Sequence, residues 1–112
     1  MANAFLRKTV TAGTSRTDVL ASDVASATEV VCIGLIASNK SSASRTLTVE
    51  IKYDTGTPSY TSYITNIPIP VGSSVNLLDG GKLVLVPNEN LTVTADSASA
   101  VDVHLSYLEI TS

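Results

Sequence analysis

Apolar and polar side chains alternate with a period of two along three segments of this chain. From Arg45 to Tyr53 every second residue is apolar, and threonine or charged residues stand between them. Residues Leu91–Ala95 and Val101–Tyr107 repeat the pattern. Because successive side chains of a β-strand point to opposite faces, each segment predicts a strand with one buried and one solvated face. Helical periodicity is hard to find anywhere, so the chain is predicted to be all-β.

Two further segments are apolar at consecutive positions, Val30–Ala37 and Leu83–Val86. A strand that is covered on both faces has this composition. In a two-layer sandwich the opposite sheet covers only one face, so we expect the N-terminal segment or a neighbouring subunit to cover the other. The apolar residues predicted to lie in the interface of an obligate oligomer are Val31, Ile33, Leu35 and Leu108.

Turn residues divide the rest of the chain into short strands. Asp79-Gly80-Gly81 is typical of a tight hairpin turn, and Pro68 and Pro70 predict an edge strand or a strand end. Weaker strand patterns lie near Ala4–Val10, Thr17–Ala21, Ser59–Ile69 and Ser73–Leu78. About seven to nine short strands predict a single β-sandwich over residues 1–112, with an immunoglobulin-like or a jelly-roll-like topology. The pattern leaves both topologies open.

Residues 1–11 are predicted to form an extended assembly arm. Phe5 and Leu6 are an apolar pair followed directly by Arg7 and Lys8, and the segment has too little apolar surface to fold alone. We therefore expect it to add a strand to a neighbouring subunit or to a protein shell, with Phe5, Leu6 and Arg7 as interface residues. The alternative is that residues 4–10 form the first strand of the same subunit's sandwich.

Charge and composition exclude several classes of partner. The formal net charge is -3 and the cations are scattered, which argues against nucleic acid. The longest apolar run, Val30–Ala37, is far shorter than the roughly 20 residues of a membrane-spanning helix, so no membrane association is predicted. The N-terminus lacks an apolar stretch of signal-peptide length, so we expect synthesis in the cytoplasm without a cleaved signal.

Candidate catalytic or metal chemistry is sparse. His104 is the single histidine, it follows the polar face of a predicted strand, and no Gly-x-Ser-x-Gly turn presents a nucleophile. Cys32 is the single cysteine and is predicted to be a buried, inert thiol. We therefore predict no catalytic residue, no metal site and no cofactor, with a calcium site at the loop of Asp54 or Asp96 as a weaker alternative.

Two other features have a functional and a structural interpretation. Tyr60 and Tyr63 would suit a sugar-binding platform, but an ordinary strand in which Tyr63 packs inward is favoured. Asn39-Lys40-Ser41 and Asn90-Leu91-Thr92 match the glycosylation sequon, and chance explains such matches in a chain this rich in serine and threonine.

Several stretches together carry a family resemblance: the opening Met-Ala-Asn-Ala-Phe, then Ile67–Val75, Leu77–Leu85, Val93–Val103 and Tyr107–Ile110. With these stretches the chain resembles small β-rich virion structural proteins of tailed bacteriophages, of the marine and cyanobacterial type. The shared motifs are strand and turn patterns and include no catalytic residue. The resemblance implies a virion component without enzymatic activity, assembled in the cytoplasm of a bacterial host.

The leading hypothesis is a head decoration, or cement, protein on the outer capsid surface. It would form a homotrimer or another closed oligomer and would bind another virion protein such as the major capsid protein. One alternative is a receptor- or glycan-binding module of a tail, baseplate or fibre, and a second is a neck or tail accessory ring protein. Glycan platforms depend on exposed Trp and Tyr, and the absence of Trp favours the scaffold role.

Overall fold

The computed structural model describes residues 2–78 and 82–111, and within them the chain is all-β. The described residues contain no helix, which confirms the prediction from the alternating pattern. The strands are β1 (Ala2–Ala12), β2 (Thr17–Asp18), β3 (Thr28–Asn39), β4 (Arg45–Asp54), β5 (Pro58–Ile69), β6 (Ser74–Asn76), β7 (Leu83–Leu85), β8 (Glu89–Ala95) and β9 (Val101–Thr111).

The strands form two antiparallel sheets that pack as a β-sandwich. In sheet A the order is β1-β9-β3, and β6 and β7 both pair with the remaining side of β3. In sheet B the order is β2-β8-β4-β5. Since β6 and β7 lie end to end along β3, they share one strand position of sheet A.

The order of pairing selects the jelly roll from the two predicted topologies. The first strand pairs with the last, β2 pairs with β8, β3 pairs with β6 and β7, and β4 pairs with β5. This nested pairing is that of a long hairpin wrapped into two Greek keys, which is the jelly-roll arrangement. An immunoglobulin sheet instead places the first strand beside the second, and the described strands do not.

An aliphatic core fills the space between the sheets. Burial removes each of its large side chains from water, which stabilises the fold by about 1.5–3 kcal/mol per side chain. Sheet A contributes chiefly Val30, Cys32, Leu35, Val101, Val103 and Leu105, and sheet B contributes chiefly Leu47, Val49, Ile69, Leu91 and Val93. The three alternating segments form β4, β8 and β9, and their central apolar residues are buried as predicted. Two expectations are wrong: Tyr53 near the end of β4 is 44% exposed, and Thr92 on the expected solvated face of β8 is buried.

The N-terminal segment is a strand of the chain's own sheet, which corrects the expectation of an extended arm. β1 pairs with β9 in unbroken register from Ala2 opposite Thr111 to Ala12 opposite Val101. The backbone of β9 thus satisfies one side of β1, and Ala12 is buried in the core. At Gly13 the chain crosses to sheet B, where the Ala95 N–H donates to the Gly13 carbonyl at 2.8 Å.

Two turn predictions have different outcomes. The predicted turn Asp79-Gly80-Gly81 lies outside the described residues. The strands on either side of it, β6 and β7, both pair with β3 and are not the two arms of one hairpin. The prolines of residues 67–71 correctly predict an edge, because β5 is the edge strand of sheet B and ends at Ile69.

Candidate interaction surface

A row of apolar side chains crosses the outer face of sheet A. Phe5 of β1 lies opposite Leu108 of β9, Leu108 lies opposite Val31 of β3, and Val31 lies opposite Val84 of β7. Residues directly opposite in an antiparallel pair point to the same face, with their Cβ atoms about 4.5–5.5 Å apart. The four residues are therefore contiguous across four strands, and we call them the apolar row.

The apolar row points away from the core. Its members alternate along their strands with the buried residues Leu105, Cys32 and Leu85, so they occupy the opposite face. Phe5 is 77% exposed and Val84 is 50% exposed. Leu108 and Val31, which lie between them, are half-buried. A contiguous exposed apolar patch of several hundred Å² on a protein surface often marks a binding site.

Two neighbouring side chains extend the row. Ile33 is exposed at the register shift between Cys32 and Gly34, where β3 bulges against β9. Val86, which directly follows β7, is also exposed. The apolar surface is thus wider at β3 and β7 than at β1.

The other end of the same face is mainly polar, although Ile36, opposite His104, is 42% exposed. Thr11 Oγ1 donates to Asp102 Oδ1 at 2.7 Å, and Lys40 Nζ lies 3.1 Å from the same oxygen. The Thr11 hydrogen bond, with the Lys40 ammonium, lowers the pKa of Asp102 below its ordinary value. His104 is exposed between these polar groups, as its alternation predicts. The apolar row is therefore a local feature of the sheet A face.

The outer face of sheet B is also polar, and its charges are paired within the chain. Arg16 Nε lies 2.8 Å from Glu50 Oε1, and Lys52 Nζ lies 3.0 Å from Asp18 Oδ2. The Arg16 guanidinium also stands 3.8 Å above the centre of the Tyr60 ring. One face of that ring is thus covered, which leaves less of it for stacking on a sugar.

Tyr63 differs from its predicted inward packing. It lies between the pairs Val49–Ile64 and Glu50–Ser62, where the register of β4 and β5 shifts, and it is 36% exposed. A bulge of this kind breaks the alternation of faces. The sequence pattern could not reveal the shift, because it depends on pairing with β4.

The structure brings together five of the seven predicted interface residues. Phe5, Arg7, Val31, Ile33 and Leu108 all belong to the outer side of sheet A. Leu35 corrects the prediction: it is 0% exposed and lies in the chain's own core, because the bulge before Gly34 keeps it on the inner face. Leu6 lies on the face opposite to Phe5, across from Tyr107, and is 41% exposed.

Sequence reasoning missed Val84 as an individual residue. The available signal was its place between Leu83 and Leu85 in a run already recognised as apolar on both faces. Only the pairing of β7 with β3 shows that Val84 continues the row beyond Val31.

The described residues offer little reactive chemistry. Cys32 is fully buried, and burial raises the pKa of its thiol to about 12, so the thiolate is scarce at neutral pH. Over residues 2–78 and 82–111, no group of three or more His, Cys, Asp or Glu side chains is placed to hold a metal ion. The same residues include no helix long and apolar enough to cross a bilayer.

Comparisons with known proteins find similarity of fold, without similarity of sequence. No protein-family model matches the chain, and no curated protein sequence matches it. A subunit from Bacillus endospore appendages, described as disulfide-linked pili, superimposes with a TM-score of 0.56 at 13% identity, over 98% of this chain and 87% of that one. A chain of the infectious bursal disease virus (IBDV) particle superimposes with a TM-score of 0.60 at 10% identity.

The IBDV match differs from the pilus match in how much of the other chain it covers. The IBDV alignment covers 96% of this chain but only 30% of the viral chain, so this chain spans under a third of that protein. Identities this low show a shared fold alone. One of these two chains comes from a viral particle and the other from pilus-like appendages.

Proposed function

We propose that this chain is a non-enzymatic structural protein of a phage virion, and specifically a head decoration protein that docks its apolar row on the major capsid protein. The observation that carries the proposal is the apolar row itself. Phe5, Leu108, Val31 and Val84 form a contiguous apolar strip on a regular sheet face that the chain's own core leaves uncovered.

The two outer faces differ in the way that a decoration protein requires. Sheet A offers an apolar strip that gains free energy when a flat protein surface removes it from water. Sheet B carries charges that are already paired within the chain, including Arg16 with Glu50 and Lys52 with Asp18. The chain would therefore bind the shell through sheet A and face the medium through sheet B.

Other observations support a structural role in the virion and argue against the glycan-binding alternative. The fold is shared with a viral particle protein and a pilus subunit, and the sequence resembles small phage virion proteins. The rival glycan-binding role is disfavoured because Arg16 covers one face of Tyr60. A closed homo-oligomer on the capsid is part of this proposal.

The location of the chain in intact particles tests the proposal. Purified virions should contain the chain in many copies, and cryo-electron microscopy should show it on the outer surface of the head. Absence from the particles, or confinement to the tail tip, would contradict a decoration role.

A matched pair of valines tests the binding surface. Val84→Asp should abolish binding of the purified chain to heads produced without it, because the contact would remove a carboxylate from water without a partner. Val71 is 53% exposed, close to the 50% of Val84, and lies in the turn after β5. Val71→Asp should bind like the wild type, and equal loss in both variants would mean that the apolar row is not the contact.

A further inference from the structure

The edges of the two sheets differ in their capacity to accept another strand. β2 has two residues, and β6 and β7 have three each. β5 is long, but its register against β4 shifts twice and it contains Pro68. β1 has 11 residues, no proline and an unbroken register with β9.

Proteins commonly blunt their edge strands by shortening, bulges, proline or charged side chains. Among the described strands, only β1 is a long edge without proline or a register shift, and its charges are confined to Arg7 and Lys8. Its outer side presents the backbone N–H and C=O groups that do not point towards β9. An added strand would satisfy these groups.

The exposed apolar residues of β1 lie on both of its faces. Phe5 belongs to the outer face and is 77% exposed, whereas Leu6 belongs to the inner face and is 41% exposed. A protein docked on the outer face of sheet A would cover Phe5 and leave Leu6 in water. A strand added at the edge contributes side chains to both faces and covers both residues at once.

We propose that β1 pairs antiparallel with β1 of a second copy of this chain, about a two-fold axis at Phe5. No other described edge of the chain matches β1 in length and regularity, so its best partner within the same protein is itself. Such an isologous contact closes as a dimer. The inference deepens the proposed function, because it names a second copy as one partner of the assembly subunit.

Charge selects the register of this pairing. A two-fold axis at Arg7 would set two guanidinium groups directly opposite each other, which is destabilising. With the axis at Phe5, Arg7 lies opposite Asn3 of the second copy. The two arginines are then four positions apart, about 14 Å at the rise of a strand, which exceeds a Debye length of about 8 Å at physiological salt.

The same register continues the apolar row. Phe5 would face Phe5 of the second copy, so that two rows join into one strip across both sheets A. On the inner face, Leu6 would lie opposite Ala4 of the second copy. Because the contact is isologous, it closes as a dimer, which differs from the homotrimer expected from sequence.

Cysteine cross-linking tests the register directly. In a Cys32→Ser background, Phe5→Cys should form a disulfide-linked dimer on mild oxidation, since opposed residues in an antiparallel pair have Cα atoms about 4.5–5.5 Å apart, within disulfide reach. Thr9→Cys is the control, because its counterpart would be about 27 Å away at the strand rise. A dimer yield at least tenfold higher from Phe5→Cys is expected. Similar yields from both variants, or no dimer from Phe5→Cys, would overturn the proposal.

Sedimentation of the full chain at micromolar concentration distinguishes pairing at the β1 edge from packing through the outer face of sheet A. The wild type and Val84→Lys should sediment as dimers. Leu6→Lys should sediment as a monomer, and its circular dichroism spectrum should show that it is still folded. Dissociation by Val84→Lys but not by Leu6→Lys would overturn edge pairing in favour of face packing. A monomeric wild type would also refute edge pairing. The proposed function would still be tested separately, by the binding of Val84→Asp and Val71→Asp to heads.

Discussion

At the scale of single residues, two buried asparagines show how polar groups hold the loops of this fold. Asn39 Nδ2 donates to the Ala43 carbonyl at 2.8 Å and to the Ile69 carbonyl at 2.9 Å. Asn39 Oδ1 accepts from the Ser41 N–H at 2.9 Å. The side chain thus ties the loop after β3 to the end of β5. Asn39 and Asn90 begin the two sequon matches, and both side chains are buried and bonded, which makes them unsuitable glycan acceptors.

Asn90 is the residue whose loss should cost the most stability for its size. Its Oδ1 accepts from the Leu20 N–H at 3.0 Å, and its Nδ2 donates to the Leu20 carbonyl at 3.1 Å and to Asp23 Oδ1 at 3.2 Å. Asn90→Ala would leave the buried Leu20 N–H and carbonyl without these partners. We expect the free energy of unfolding in urea to fall by about 2–6 kcal/mol, at roughly 1–3 kcal/mol for each of the two unsatisfied groups.

Asn3 supplies the control for this prediction. It is exposed on β1, and Asn3→Ala should change the free energy of unfolding by less than about 0.5 kcal/mol. Equal losses in the two variants would show that the hydrogen bonds of Asn90 are not the source of the effect.

At the scale of elements, β1 is the strand whose role the structure changes most. A free arm could be removed without loss of fold, but β1 covers the edge of β9 along its whole length. Removal of residues 1–8 would expose the backbone of β9 from Leu105 onward. We therefore expect the truncated chain to melt at least 10 °C lower or to precipitate, because an uncovered edge invites uncontrolled pairing.

Thr9→Ala is the control for the truncation. It retains the backbone of β1 and changes an exposed side chain outside the residues proposed to pair with a second copy, so its melting temperature should stay close to that of the wild type. A truncated protein with an unchanged melting temperature would restore the arm interpretation for residues 1–8.

At the scale of the whole molecule, the jelly-roll order makes the closing contacts very distant in sequence. β1 pairs with β9, so the two ends of the chain must meet before sheet A is complete. Loop closure over such separations costs entropy before any contact forms. We expect refolding from urea to take milliseconds to seconds in stopped-flow measurements, as for other β-sandwiches. Refolding in microseconds would contradict this dependence on non-local pairing.

The local pattern along the chain determined the fold class and much of the core. Alternation in β4, β8 and β9 is a property of neighbouring residues, because a strand turns successive side chains to opposite faces whatever it pairs with. For the same reason the sequence correctly identified β3 and β7 as apolar on both faces, and Cys32 as a buried thiol.

Only the tertiary structure decided which edges meet and which apolar residues stay in water. The choice of the jelly roll, the place of β1 beside β9 and the alignment of Phe5, Leu108, Val31 and Val84 all follow from pairings between segments far apart in sequence. Leu35 and Ile33 are two residues apart and were expected to behave alike. The bulge against β9 puts Leu35 in the core and Ile33 on the surface, because one extra residue in a strand reverses which face the next side chain occupies.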